Sequence, residues 1–299
     1  MKQKKSFHWT RVVLAAVIVF FYIPIAYTVL FSFNASRSLT TFSGFSLRWY
    51  EKMFSSSVTM GAIGTTFAIA ILATVISTCI GTITVIGLSR CSKPLRKAVR
   101  TANDLPIMNP DIVTAIGLLM FFATLEVSKG FLTLLLAHIA FCTPYVMLSI
   151  TPRLRTLDPN LADAALDLGA NPWQALWHAI IPQLSPGIFA GALIAFTMSF
   201  DDFVISYFVT GNGVQNISIL VYTMSKRVNP SINAISTLVI VIITVVLLLV
   251  NLIPRIAERT RKSTRRNLHH EAEKTVRCLL CRCRTRRCAD RLRRSGHGF

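Results

Sequence analysis

The sequence predicts an all-α integral membrane protein with six transmembrane helices and both termini in the cytoplasm. Three observations carry that reading. The composition is 53% hydrophobic and only 15% charged, whereas a soluble domain carries roughly 25% charged residues. Six long apolar blocks recur along the 299 residues. Basic residues alternate in density between the segments that join those blocks.

A bilayer core about 30 Å thick takes roughly 20 residues of helix at 1.5 Å rise each. The blocks of that length are residues 12–33, 62–88, 107–125, 131–150, 187–209 and 232–253. The first is 22 residues long and is followed by Asn34, Ala35, Ser36 and Arg37. That is too long for a signal-peptide core and a poor cleavage site, so it reads as an uncleaved first span. The third block carries Asn109 and Asp111 in its first turn. The chain divides into a short N-terminus (1–11), a membrane domain (12–253) with a long loop at 151–186, and a tail at 254–299.

Orientation follows from the basic residues. Lys2, Lys4, Lys5 and Arg11 precede the first block; Arg90, Lys93, Arg96, Lys97 and Arg100 lie between the second and third; Arg153 and Arg155 lie between the fourth and fifth. These eleven stand against six on the other side: Arg37, Arg48, Lys52, Lys129, Lys226 and Arg227. The net charge of +19 is concentrated in the tail, where residues 255–299 hold 15 basic and 4 acidic residues. A basic tail beside a membrane reads as a lipid-facing segment, and the distribution argues against nucleic acid as a partner.

The 151–186 loop is patterned. Asp158 and Asn160 are helix N-cap candidates, and Gly169 is placed as a C-terminal stop. Asn171 and Pro172 then restart a second helix as cap and first-turn residue, with Pro182 as its end. Trp173, Leu176 and Trp177 fall at helical spacing and define an apolar face. On spacing alone that face suits either the lipid headgroups or a protein partner.

In the fifth block, Ala192, Ala195, Ser199, Asp202 and Ser206 recur at steps of three and four. They make one small, polar stripe beside the aromatic stripe of Phe196, Phe200, Phe203 and Tyr207. A carboxylate inside a membrane costs at least about 2.5–3.5 kcal/mol, so it faces a cavity or a partner. Asp202, on the stripe, ranks ahead of Asp201, off it, as the carboxylate that faces a cavity or partner. The alternative is structural: either aspartate caps a helix break or pairs with a neighbouring span. His138 reads as a packed or hydrogen-bonded histidine.

No Gly-x-x-x-x-Gly-Lys-Ser/Thr run occurs, so the chain lacks the usual phosphate cradle for ATP. No His-Glu-x-x-His or Gly-x-Ser-x-Gly occurs either, and no catalytic or metal site is expected. The tail cysteines Cys278, Cys281, Cys283 and Cys288 have spacing unlike a paired zinc motif.

Asp163-Ala164-Ala165-x-x-x-Gly169 followed by Ile181-Pro182 resembles the "EAA" loop of ABC-importer permeases. Asp163 stands where that family has Glu, which keeps the charge and shortens the reach. Residues 44–51, 110–113, 138–146, 196–204 and 229–234 are similar to the spermidine/putrescine (PotC-like) branch. The resemblance implies that the loop couples to an ATPase subunit through Asp163, Ala164, Ala165, Gly169, Trp173, Leu176, Trp177, Ile181 and Pro182. It implies a polyamine pathway containing Asp201, Asp202, Ser199, Ser206, Phe203 and Tyr207. The implied partners are a PotB-like second permease, two PotA-like ATPases that hold ATP and Mg, and a PotD-like extracytoplasmic binding protein. The chain itself would carry no cofactor and would sit, multi-pass, in the bacterial inner membrane. The same machinery carrying another small solute stays open, as does a stand-alone secondary transporter, although no inverted repeat is evident between the halves.

Overall fold

The computed structural model describes residues 7–248 apart from 39, 212, 227–229 and 247. The cysteine-rich tail and the end of the sixth apolar block lie outside the described residues. Every described regular element of two or more residues is a helix.

Helix α1 (Phe7–Ser32) is 26 residues long, about 39 Å at 1.5 Å per residue. Its apolar window has no share buried within this chain. An apolar helix with so little of its surface covered within the described residues suits lipid or another subunit. A loop then returns to α2 (Arg48–Ser55), where Trp49 and Met53 are buried. The Asn34 amide ties the loop by donating to the carbonyls of Thr41 (2.8 Å) and Ser38 (3.0 Å). Trp49 Nε1 donates to the Asn34 carbonyl at 2.8 Å.

The bundle proper is three packed helices: α3 (Ser57–Arg90), α6 (Phe131–Arg155) and α9 (Ile181–Asp201). The buried side of α3 is mostly small: Ala62, Thr66, Ala70, Ala73, Ser77 and Gly81 recur at steps of three and four. Small residues let helix backbones approach closely, which is the main source of helix association in lipid. Val146 of α6 marks the closest approach. A Cβ on Gly81 would lie 2.8 Å from Val146 Cγ1, and one on Gly191 would lie 3.3 Å from the Val146 Cα and carbonyl oxygen. One valine is therefore enclosed by glycines from two other helices.

Among the described residues, four helices are long and apolar enough to cross a membrane, and a bent pair makes up to five. The pair is α4 (Lys93–Met108) and α5 (Asp111–Thr124), bent by 110° at Asn109-Pro110. This corrects the third block: Ile107 and Met108 close amphipathic α4, and only 14 residues form α5. Pro110 is the cause, because its ring pushes Asn109 into extended backbone (φ −86°, ψ 146°). A further apolar helix, α12 (Ser231–Val246), lies in the block predicted at 232–253, whose remainder falls largely outside the described residues.

The fifth block is corrected too. It is not one helix: α9 ends at Asp201, and α10 (Val204–Val209) starts after a break. Helix α11 (Ile217–Lys226) follows.

Candidate functional site

Two places gather the residues that the sequence singled out. The first is the loop after α6. Helix α7 (Leu161–Asp167) is a two-turn element. Asp158 Oδ1 accepts from the Asn160 N–H at 2.9 Å, so Asp158 shapes the entry, whereas the Asn160 side chain makes no cap bond. At the exit, Gly169 N–H donates to the Leu166 carbonyl (2.9 Å) and Ala170 N–H to the Ala165 carbonyl (3.1 Å). With Gly169 at φ +88°, this is a Schellman cap, which needs a left-handed residue after the helix.

Asn171 then starts α8 (Pro172–Ala175) with a reciprocal cap. Its Oδ1 accepts from Gln174 N–H at 2.8 Å, and Gln174 Oε1 accepts from Asn171 N–H at 2.9 Å. The helix does not stop at Pro182. A π-helical turn at Leu176–Ile180 leads straight into α9, giving a continuous 30-residue rod, Pro172–Asp201. A proline inside an α-helix lacks a donor and its ring clashes with the carbonyl four residues back, here that of His178. The wider π turn absorbs that misfit without breaking the rod. Ile181 and Pro182 thus begin the membrane helix.

Trp173 and Trp177 are 66% and 50% exposed, with ring centroids 5.7 Å apart, and Leu168 is 90% exposed. Leu176 departs from the predicted apolar face: it is half-buried and lines a chamber beneath the loop. Asp163 and Ala164 are exposed, and Ala165 is half-buried. Ala162 and Ala175 are buried where α7 packs on α8.

The second place is the break between α9 and α10. Asp202 is extended (φ −65°, ψ 127°). Its carboxylate accepts from the backbone N–H groups of Ile205 (3.2 Å) and Ser206 (2.7 Å) and from the Ser206 hydroxyl (2.9 Å). Those contacts satisfy the first donors of α10, as an N-cap does. His138 of α6 closes the cluster from the other side. Its Nδ1 lies 2.7 Å from Ser199 Oγ, and its Nε2 lies 3.1 Å from Ser206 Oγ and 3.5 Å from Asp202 Oδ2.

Asn216 completes the network. Its amide donates to Ser206 Oγ (2.7 Å) and to the Asp202 carbonyl (3.3 Å), while its Oδ1 accepts from Ile219 N–H (2.9 Å) and so caps α11. Ile217 N–H reaches on to Thr66 Oγ1 of α3 at 2.8 Å. Five elements therefore meet at one buried polar cluster.

This arrangement gives Asp202 the capping role, with its side chain 6% exposed. Asp201, off the stripe, is the exposed carboxylate. Ser199 and Ser206 are buried within the cluster. The break also divides the aromatic stripe. Phe196 and Phe200 stack with each other, and Phe200 meets Phe67. Phe203 and Tyr207 instead gather round Tyr222 of α11, with centroids 4.9 and 5.6 Å from it. Lys226 Nζ lies 4.5 Å from the Tyr222 ring centroid. Sequence reading gave His138 as a packed or hydrogen-bonded histidine, which it is, without its partners, and missed Asn216. The only signal for either was a polar side chain in an apolar context.

Such a bundle, with a capped surface loop running into a long apolar helix, is that of a multi-helix membrane protein. Residues 77–263, more than half of the chain, match the family of binding-protein-dependent transport system inner membrane components. The chain belongs to that family, and is an inner-membrane permease subunit of an ABC importer. It is 36% identical over 245 residues to the putrescine transport system permease protein PotI of Escherichia coli K12, covering 78% of this chain and 85% of that protein. It is 38% identical over 226 residues to the spermidine/putrescine permease PotC of Haemophilus influenzae, covering 75% and 88%. A bacterial ABC transporter that imports the acidic polysaccharide alginate shares the fold, with TM-score 0.64 at 15% identity over 83% of this chain and 95% of that one. The MetNI methionine transporter does so at 0.56 and 16% identity, over 67% and 98%.

Proposed function

We propose that this chain forms half of the translocation pore of a polyamine importer, carrying putrescine or spermidine inward. The observation that carries the reading is the similarity to PotI and PotC over three quarters of the chain. In this reading six spans cross the membrane: α1, α3, the α4–α5 segment, α6, the Pro172–Val209 segment and the block containing α12. Both termini and the loop after α6 face the cytoplasm, on the side rich in Arg90, Arg96, Arg100, Arg153 and Arg155.

A second permease covers α1 and completes the pore. An extracytoplasmic binding protein delivers the solute, and two ATPases holding ATP and Mg drive the cycle. The Leu168, Trp173 and Trp177 face is the docking surface for one ATPase. Asp163, Ala164 and Ala165 belong to the same surface, and Gly169 sets its shape. Leu176, Ile181 and Pro182 connect it to α9. Because α8, the π turn and α9 are one rod, a push at Trp173 reaches the Asp202 break directly.

At that break, the exposed Asp201 and the rings of Phe203 and Tyr207 suit an ammonium group by ion pairing and cation–π attraction. Asp202, Ser199 and Ser206 hold the break in shape, one step behind the pathway. The test is uptake of labelled putrescine and spermidine by the reassembled importer. Saturable uptake that both unlabelled polyamines inhibit supports the reading. Uptake indifferent to them moves the assignment to another solute.

A further inference from the structure

The chamber beneath the coupling loop is independent of which solute is carried. It is a half-open cavity of about 630 Å³, within the roughly 300–1,000 Å³ of ordinary ligand cavities. Four arginines from three helices line it: Arg90 at the end of α3, Arg96 and Arg100 on α4, and Arg155 at the end of α6. Among the described residues none of these guanidinium groups has a hydrogen-bond or ion-pair partner, although Arg96 and Arg100 are half-buried. Two acids, Asp158 and Asp163, also reach the chamber, which leaves a net excess of positive charge. A smaller cavity of about 110 Å³ adjoins it and shares Arg100 and Arg155, with Asp104 in its wall.

The rest of the chamber wall is largely apolar, with Leu154, Leu157 and Ile180 among its residues. Partly desolvated cations without partners are costly, and guanidinium forks match phosphate oxygens in bidentate geometry. Cations beside apolar wall at the ends of membrane-packed helices fit a ligand with one anionic end and one oily end. Trp173 and Trp177 do not line the chamber, whereas Leu176 does. The docking face and the chamber are thus lined by different residues, apart from Asp163, which belongs to both.

We propose that this chamber binds the phosphodiester headgroup of an anionic phospholipid, with Arg96 and Arg100 as its principal ligands and Arg90 and Arg155 at its flanks. The bound lipid ties the α3–α4 corner to the α6 end and to the first residues of the coupling loop. Basic pockets between helix ends are a known means of holding such headgroups.

The test is native mass spectrometry of the full chain in detergent. It is titrated with phosphatidylglycerol, with phosphatidylcholine of the same acyl chains, and with inorganic phosphate. Retention of phosphatidylglycerol about ten-fold tighter than phosphatidylcholine is expected, the equivalent of ~1.4 kcal/mol. That preference should fall in Arg96→Gln/Arg100→Gln and persist largely in Arg96→Lys/Arg100→Lys. Equal retention of the two lipids by the unaltered chain would overturn the proposal without recourse to any variant. Displacement of the lipid by millimolar phosphate would show a free-anion site instead. Release of the lipid when the ATPase subunit docks would assign the arginines to the protein interface, and the proposal would fail.

Discussion

The Asp202 carboxylate accepts hydrogen bonds from both the backbone N–H and the hydroxyl of Ser206, at 2.7 and 2.9 Å. One side chain thereby follows the end of the long α9 rod and caps the start of α10. A helix break inside an apolar bundle exposes donors that lipid cannot satisfy, so the break exists only because Asp202, Ser206 and Asn216 supply partners.

Replacing Asp202 by Ala removes the cap and strands the partners of Ser206 and His138. The expected cost is about 1–3 kcal/mol of stability. Asp202→Asn keeps an acceptor for the α10 N–H groups and recovers most of it. Thermal unfolding in detergent checks the order wild type, Asn, Ala. Equal stability of all three would remove the cap from the account.

Asp201 behaves in the opposite way. It is exposed, so Asp201→Asn leaves unfolding unchanged. If its charge meets the substrate ammonium, uptake falls about ten-fold, the equivalent of ~1.4 kcal/mol. Labelled putrescine uptake at matched permease abundance checks this, and unchanged uptake would leave Asp201 outside the pathway.

Val146 is enclosed by Gly81 and Gly191. Gly81→Ala drives a methyl into Val146 Cγ1, and overpacking of this kind costs about 1–3 kcal/mol. Adding Val146→Ala vacates that space and restores part of the loss. A double-mutant cycle on unfolding measures the coupling; additive effects would contradict the contact.

At Gly169 a Cβ would meet nothing within 4 Å, but φ is +88°. Any penalty therefore comes from the backbone, about 1–3 kcal/mol for a β-branched residue. Gly169→Val should insert normally yet lose ATPase coupling. Gly169→Asn should retain it, since Asn visits the left-handed region readily. Co-purification with the ATPase distinguishes them, and equal retention by both would separate the Schellman turn from coupling.

Much of this was legible locally. The spans around α1, α3 and α6 follow from apolar length, and Gly169, Asn171 and Pro172 announce a stop and a restart by their own backbone chemistry. Pro182 misled for a physical reason: a π turn can seat a proline, and nothing in local sequence distinguishes that turn from a helix end. The third block was misread because Ile107 and Met108 were joined across Asn109-Pro110-Asp111 to the apolar run that follows, whereas the backbone turns there. The polar stripe of Ser199, Asp202 and Ser206 was visible at helical spacing, and an aspartate capping a helix break stood as the structural alternative, but the position of the break was not. That break depends on His138, Asn216 and Thr66, which arrive from other helices and which no periodicity connects.

The central claim is polyamine import driven by a partner ATPase, and the most direct measurement is uptake in proteoliposomes. The permease pair and its ATPases are reconstituted, binding protein is supplied outside, and labelled putrescine or spermidine is followed. The account predicts accumulation that requires both ATP and the binding protein and that stops when Trp173 and Trp177 are replaced by Ala. Accumulation that continues without ATP or the binding protein, or is untouched by loss of the two tryptophans, would contradict it.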